Sequence, residues 1–226
     1  MKRSVVNANI LWAKELLTRY GISLPEFANW GPEEWIAHKE ELDTIRRVYL
    51  GWDVKDYSEE MGSVLFTIRN GRYDDPSVGV PYCEKVILFR DGKRLPLHYH
   101  KSKTEDIINR AGGTMQIRLY ATDARGKLTD APISVYQDGI LHTYQPGELV
   151  FIEPGGSITL EPGVAHTFGP KPGSDLIVGE VSKINDDFTD NYRFEKIPAP
   201  CPVEEDAPML HPLCTEYEVL LADTRQ

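Results

Sequence analysis

Six histidines occur in the chain: His38, His98, His100, His142, His166 and His211. His98, His100 and His166 fall into a pattern with a carboxylate. His98 and His100 stand two apart in Leu95-Pro-Leu-His98-Tyr-His100, a segment that reads as a strand. Side chains alternate across a strand, so both rings face one way and their nitrogens can converge on one ion. Glu105 follows a polar turn and opens the next predicted strand, where a hairpin would fold it back beside the histidines. Further along, Gly156-Ser-Ile-Thr-Leu-Glu-Pro162-Gly163-Val-Ala-His166 uses a Pro-Gly turn to deliver a third imidazole into a strand. Three imidazole nitrogens and one carboxylate oxygen suit a divalent transition metal. In a six-coordinate ion two positions would stay open for water or substrate oxygens, an arrangement for catalysis rather than a closed structural site. The bland alternative is that His98 and His100 only line a polar strand. The joint pattern of histidines, glutamate and spaced glycines argues against it. His38, His142 and His211 lack such context and read as structural or surface residues.

The elements that must position this set fall into two zones. Up to about residue 50 the pattern is helical. Ile10, Leu11, Leu16, Leu17 and Tyr20 recur near a helical period, and Gly21 stops the run. A second helix is expected from Pro32, with Glu33 and Glu34 in the first turn, where the helix dipole favours acids. Its apolar face would be Trp35, Ile36, Leu42, Ile45, Val48 and Tyr49. The plain reading is a helical pair packed on the rest of the domain; a dimer or lid element is the other. From about 52 onward short β-branched and aromatic runs alternate with Gly, Pro, Asp and Asn. Strands are expected at 64–69, 84–90, 95–100, 105–110, 114–121, 133–137, 148–152, 157–160, 175–182 and 192–197. Closely spaced short strands predict an all-β sandwich, jelly roll or barrel. The tail from Pro198 is rich in Pro and acids and reads as an extended strap.

Composition narrows the function. The 226 residues are 41% hydrophobic and 27% charged, so the chain is globular rather than disordered. Its 25 Lys and Arg against 35 Asp and Glu leave a net charge of −10, which disfavours nucleic acid and anionic membrane surfaces. No apolar run approaches the roughly 18 residues of a membrane span, and no signal peptide is visible. Cys83, Cys201 and Cys214 are odd in number and lack a paired spacing, so a cytoplasmic protein with reduced thiols is expected.

The stretch 92–112 resembles the first cupin motif, with every spacing matched: Gly92, His98, His100, Glu105 and Gly112. The stretch 156–166 resembles the second with a one-residue departure. The glycine follows the proline directly, and Pro170 stands where the motif often has Asn. The likeness covers roughly residues 60–197 and implies a double-sheet β-barrel, or jelly roll, with a metal inside. A division follows into a helical extension over 1–55, a cupin barrel over 56–197 and a C-terminal strap over 198–226. A narrower resemblance is to bacterial D-lyxose isomerases. It rests on Lys103-Thr-Glu105-Asp106-Ile-Ile-Asn109-Arg110-Ala-Gly112-Gly113, on Gly179-Glu180-Val-Ser182 and on Asn185-Asp-Asp-Phe-Thr-Asp190-Asn191. Chain length and helical extension agree. That family implies a manganese-dependent aldose–ketose isomerase, converting D-lyxose and D-xylulose with D-mannose and D-fructose as a second pair. It implies His98, His100, Glu105 and His166 as Mn2+ ligands. A homodimer is expected.

Such a reaction moves a proton between C1 and C2 and needs a base beyond the metal ligands. Glu180 lies in the apolar run Leu176-Ile-Val-Gly-Glu180-Val-Ser and is the candidate base, its pKa expected to be raised by burial. A structural pairing with a neighbouring cation is the alternative. Lys103, in the turn before Glu105, is a second catalytic candidate, and Lys85, on a strand face with Ile87 and Phe89, is a candidate for polarising a sugar oxygen. Asp190, lifted by the resemblance, and Arg193, as its partner, are candidates for binding sugar hydroxyls. Asp186 and Asp187 read as a solvated loop. Rival readings are a cupin phosphosugar isomerase, a cupin dioxygenase and a non-catalytic sugar-binding cupin.

Overall fold

The computed structural model describes residues 1–199 and 202–222, so Cys201 and parts of the expected strap lie outside the described residues. The chain begins with helix α1 (Arg3–Arg19), whose buried side chains Val6, Ile10, Ala13, Leu16 and Leu17 form one stripe. Helix α2 (Pro32–Ala37) starts at the expected proline, and Glu34 reaches back to accept the Gly31 N–H at 3.0 Å. It does not continue as one helix. A 3-10 turn at Lys39–Glu41 separates it from α3 (Asp43–Arg47). The apolar residues of this segment serve two separate clusters. Trp35 and Leu42 pack with Tyr217, while Val48 packs with Leu50 and Val78. One straight helix cannot present both.

Thirteen strands follow among the described residues: β1 (Gly51–Asp56), β2 (Gly62–Gly71), β3 (Gly79–Phe89), β4 (His98–Tyr99), β5 (Glu105–Gly112), β6 (Met115–Ala121), β7 (Ile133–Gln137), β8 (Ile140–Tyr144), β9 (Leu149–Ile152), β10 (Ser157–Leu160), β11 (Val164–Pro170), β12 (Leu176–Lys183) and β13 (Tyr192–Arg193). Helix α4 (Tyr217–Ala222) closes the described chain. β1 is not among the expected strands and overlaps the end of the helical extension expected over 1–55. Trp52 and Val54 alternate with Asp53 and Lys55, a strand period that six residues carry too briefly to stand out. The strand expected over 95–100 shortens to His98–Tyr99, because Pro96 has no N–H for a ladder. β8 follows the Asp138-Gly139 turn, where both residues adopt positive φ (52° and 80°), as a tight hairpin requires.

The strands form two antiparallel sheets, one ordered β1-β2-β3-β12-β5-β10-β7-β8 and the other β13-β4-β11-β6-β9. This is the expected double-sheet barrel with an N-terminal helical extension. The first sheet is buried on both faces along its middle strands. Val64, Phe66, Val86, Leu88 and Ile177 face α1. Ile87, Phe89, Leu176 and Val178 face the second sheet, meeting Ile117, Leu119 and Phe168. Burial on both faces explains the unbroken apolar runs of β3 and β12, since each fully buried aliphatic side chain contributes about 1.5–3 kcal/mol. It also explains why periodicity could not orient Glu180. The C-terminal segment is tied to α1 by Arg3, fully buried, whose guanidinium bonds Glu205 at 2.6 Å and Glu216 at 2.5 Å. No helix among the described residues is long and apolar enough to cross a membrane.

Candidate active site

The histidines meet because of strand register. His98 on β4 lies directly opposite His166 on β11, so their rings share the inward face. His100 continues that face past the end of β4. The turn before β11 locks the two motifs together: Gly163 donates its N–H to the His100 carbonyl at 2.8 Å. Its φ of 86° is one that L side chains rarely adopt. The candidate ligand atoms of His98, His100 and His166 all lie within 4.8 Å of one another. Glu105 enters from the other sheet, at the head of β5. Its Oε1 is 3.1 Å from His166 Nε2 and 3.7 Å from His100 Nε2.

The tautomers follow from the backbone. His98 Nδ1 contacts the Pro96 carbonyl at 2.9 Å, His166 Nδ1 the Val164 carbonyl at 3.1 Å, and His100 Nδ1 the Asp190 carbonyl. A carbonyl only accepts, so each Nδ1 carries the proton and each Nε2 presents a lone pair to the centre. Burial, helped by the neighbouring His166 and His100, holds His98 well below its ordinary pKa. Burial and the Lys103 ammonium lower His100 as well. Both rings are therefore held neutral, as metal ligands must be. Buried His100 Nε2 and Glu105 Oε1 have no hydrogen-bond partner among the described residues. Two orphaned donor atoms facing a common point fit a bound cation, and the N₃O set suits a divalent transition metal.

Beside this centre lies a buried ion cluster. Lys85 on β3, Glu180 on β12 and Ile107 on β5 sit in one cross-strand row, and Ser182 and Glu105 in the next. Register thus points Glu180 inward. Lys103 Nζ lies 2.7 Å from Glu105 Oε2 and 3.0 Å from Glu180 Oε1, and it donates to Asn185 Oδ1 at 3.2 Å. Lys85 Nζ is 3.6 Å from the same Glu180 oxygen, which also accepts the Ser182 hydroxyl at 3.1 Å. All four charged side chains are buried, two cations against two anions, with Asp187 a further anion beside Lys85. The expectation that burial raises the Glu180 pKa is overturned. Burial does push it up, but Lys103 and Lys85 outweigh that and hold it below the usual carboxylate value. Glu105 is likewise held well below, burial being outweighed by Lys103 and the imidazoles. Burial opposes the charge on Lys103 too, yet Glu105 and Glu180 keep it protonated.

His98, His100, Lys103, Glu105, His166, Glu180, Lys85 and Arg193 all line one cavity. Arg193 sits opposite His98 on β13 and so shares its face. Asp190 is not on the cavity wall. Its carboxylate accepts the backbone N–H groups of Lys101, Ser102 and Lys103 at 2.7, 3.1 and 3.1 Å, and its carbonyl orients His100. It therefore has no pairing with Arg193, and it fixes the turn carrying Lys103. Asp187, read as solvated, stands at the cavity wall 4.0 Å from Lys85. Lys55, Tyr57, Ser63 and Asn191 also line the cavity and were not anticipated. Alternation along β1 puts Lys55 on the face of Asp53, which would have found it had the strand been read. Asn191 closes the Asn185–Asn191 segment that carries part of the family resemblance, without a role of its own expected there.

A family model described as D-lyxose isomerase matches residues 1–217. The chain is 35% identical over 227 residues to a D-lyxose/D-mannose isomerase of Escherichia coli O157:H7, covering 96% of this chain and 98% of the relative. It is 34% identical over 223 residues to a D-lyxose/D-mannose isomerase of Serratia proteamaculans, with coverages of 96% and 98%. Among solved structures it resembles L-ribose isomerase of Acinetobacter sp. DL28 in complex with L-ribose, at a TM-score of 0.52 and 16% identity over 85% of this chain and 92% of that one. L-ribose isomerase of Cellulomonas parahominis gives 0.51 and 18% over 87% and 94%. At such identities the structural likeness speaks for the fold alone.

Proposed function

The chain belongs to the D-lyxose isomerase family, and from that premise we propose that it interconverts free aldoses and ketoses, D-lyxose with D-xylulose and D-mannose with D-fructose. The observation that carries this reading is the convergence of three imidazole Nε2 atoms and Glu105 beside the buried Lys103–Glu180–Lys85 cluster in one cavity. His98, His100, Glu105 and His166 would hold a divalent ion, Mn2+ in our reading. Such an ion supplies Lewis acidity to the carbonyl and adjacent hydroxyl oxygens of the sugar.

The chain's own groups do the proton transfer. Glu180 is held ionised, accepts the proton from C2 and returns it to C1, while the hydroxyl proton on O2 passes to O1, so that aldose and ketose differ only in where the same protons sit. Lys103 stays protonated and serves as donor to a substrate oxygen rather than as base. Lys85 keeps Glu180 ionised and oriented. Asp190 acts on the site through the turn of Lys103 and the ring of His100, a positioning role in place of direct sugar binding. Arg193 remains a candidate for a sugar hydroxyl. The phosphosugar alternative finds little support, because the cavity lysines already face carboxylates: Lys55 pairs with Asp53 at 2.6 Å, Lys85 with Glu180 and Lys103 with Glu105. A homodimer and a cytoplasmic setting complete the proposal.

The test uses metal-stripped protein resupplied with Mn2+ and incubated with D-lyxose or D-mannose. D-Xylulose and D-fructose should appear, and a chelator should abolish their formation. Full turnover in the stripped, chelated protein would remove the metal from the mechanism. Conversion of sugar phosphates alone would move the substrate assignment.

A further inference from the structure

Six buried side-chain polar atoms lack a hydrogen-bond partner among the described residues: Trp35 Nε1, Ser63 Oγ, His100 Nε2, Glu105 Oε1, Asn109 Oδ1 and Asn191 Oδ1. His100, Glu105, Ser63 and Asn191 line the same cavity. The first two are accounted for by the cation they would share. Ser63 Oγ and Asn191 Oδ1 are not, and buried polar groups are seldom left unpaired without a reason. Ser63 is only 6% exposed and stands on β2, on the inward face with Leu65. Asn191 precedes β13, whose Arg193 lies opposite His98. The two groups therefore approach the cavity from different sheets. One is a hydroxyl that donates and accepts, the other an amide oxygen that only accepts. Both are neutral, and the lysines nearby already have carboxylate partners.

A ligand that satisfies both sets of unmet groups has metal-binding oxygens at one end and neutral hydroxyls along the rest. We propose that Ser63 and Asn191 bind the hydroxyls of the sugar beyond C2 and so determine which chain lengths and configurations the enzyme accepts. This rests on the isomerase reading and assigns it a recognition site.

The experiment uses the full-length Mn2+-loaded enzyme and its S63A and N191A variants. kcat and KM are measured for D-lyxose, for D-mannose and for D-lyxose analogues lacking the hydroxyl at C3, C4 or C5. Metal content and Tm are measured on each protein. Each variant should raise KM about three- to tenfold, the worth of one hydrogen bond, with kcat within about twofold and full metal content. The wild type should lose a similar factor on one deoxy analogue, and the matching variant should lose nothing further on it. That non-additivity would not arise from a structural role. KM values equal to wild type in both variants would overturn the proposal, as would penalties that multiply at every position. A variant that loses metal and Tm would be structural at that residue. If the wild type converts the sugars and both variants fail these criteria, this inference alone falls. If the wild type converts no free aldose, the isomerase reading falls and takes it along.

Discussion

Replacing Glu180 with Gln separates chemistry from metal binding, because Glu180 touches the lysines but none of the histidines. The amide keeps the shape and one acceptor oxygen while removing the charge. At 3.0 and 3.6 Å, with an effective dielectric of about 20, each lysine attracts the carboxylate by about 5 kcal/mol. Taking the carboxylate out of water costs several kcal/mol in return, so most of that attraction is already spent. Lys103 also retains Glu105 at 2.7 Å, and Lys85 retains Asp187 at 4.0 Å. The net loss of stability should be about 1–3 kcal/mol, a fall in Tm of about 2–12 °C for a chain of this size. The loss of turnover should be far larger. Removing a positioned base costs about 10²–10⁴ in kcat, or about 3–5 kcal/mol of barrier. The assay is kcat for D-lyxose on the Mn2+-loaded variant, with metal content by elemental analysis and deuterium uptake from D2O into the sugar. Metal content should stay at the wild-type level, while turnover and deuterium uptake fall together. A variant with full metal and kcat within tenfold of wild type would refute the assignment of Glu180 as base.

Two further outcomes follow from the geometry. Asp190→Ala removes the acceptor of three backbone N–H groups beside His100 and Lys103, so Mn2+ affinity should drop about 10- to 100-fold with a parallel fall in kcat. Asp190→Asn should restore part of it, and unchanged affinity by metal titration would discard the positioning role. Glu195 is held below its ordinary pKa by Arg94, bound at both oxygens at 2.7 Å, and by the Leu97 N–H. A lowered carboxylate contributes stability that is complete above its unfolded value of about 4.3 and is lost as pH falls through the lower folded value. The Tm gap between wild type and Glu195→Gln should therefore be constant from pH 6 to 8 and close below about pH 4.3. A gap that instead widens in acid would contradict the sign.

The candidate metal ligands were legible because their chemistry is local. His98 and His100 share a face by strand alternation alone, and Gly163 marks the turn that brings His166 in. Most strands were legible for the same reason, since turn residues bracket short apolar runs. The second helix was not, because Trp35 and Val48 bury against different partners that lie far away in sequence. β1 escaped because six alternating residues carry a weak signal beside a strong helical one.

Residue patterns alone carried the all-β class, the donor types at the centre and the candidate side chains for proton transfer, and the family resemblance added the double-sheet barrel. Periodicity and residue chemistry are properties of neighbours along the chain, and they survive without a third dimension. How those side chains are arranged and charged depends on the fold. The pairing of β3, β12 and β5 places Lys85 and Lys103 around Glu180, and their two charges outweigh the burial that would otherwise raise its pKa. It took Asp190 off the cavity wall and made it a brace for the turn of Lys103. It also put Ser63 and Asn191, 128 positions apart, on one cavity. Electrostatic balance and unmet hydrogen bonds depend on distances of a few ångströms between remote segments, and no local pattern encodes them.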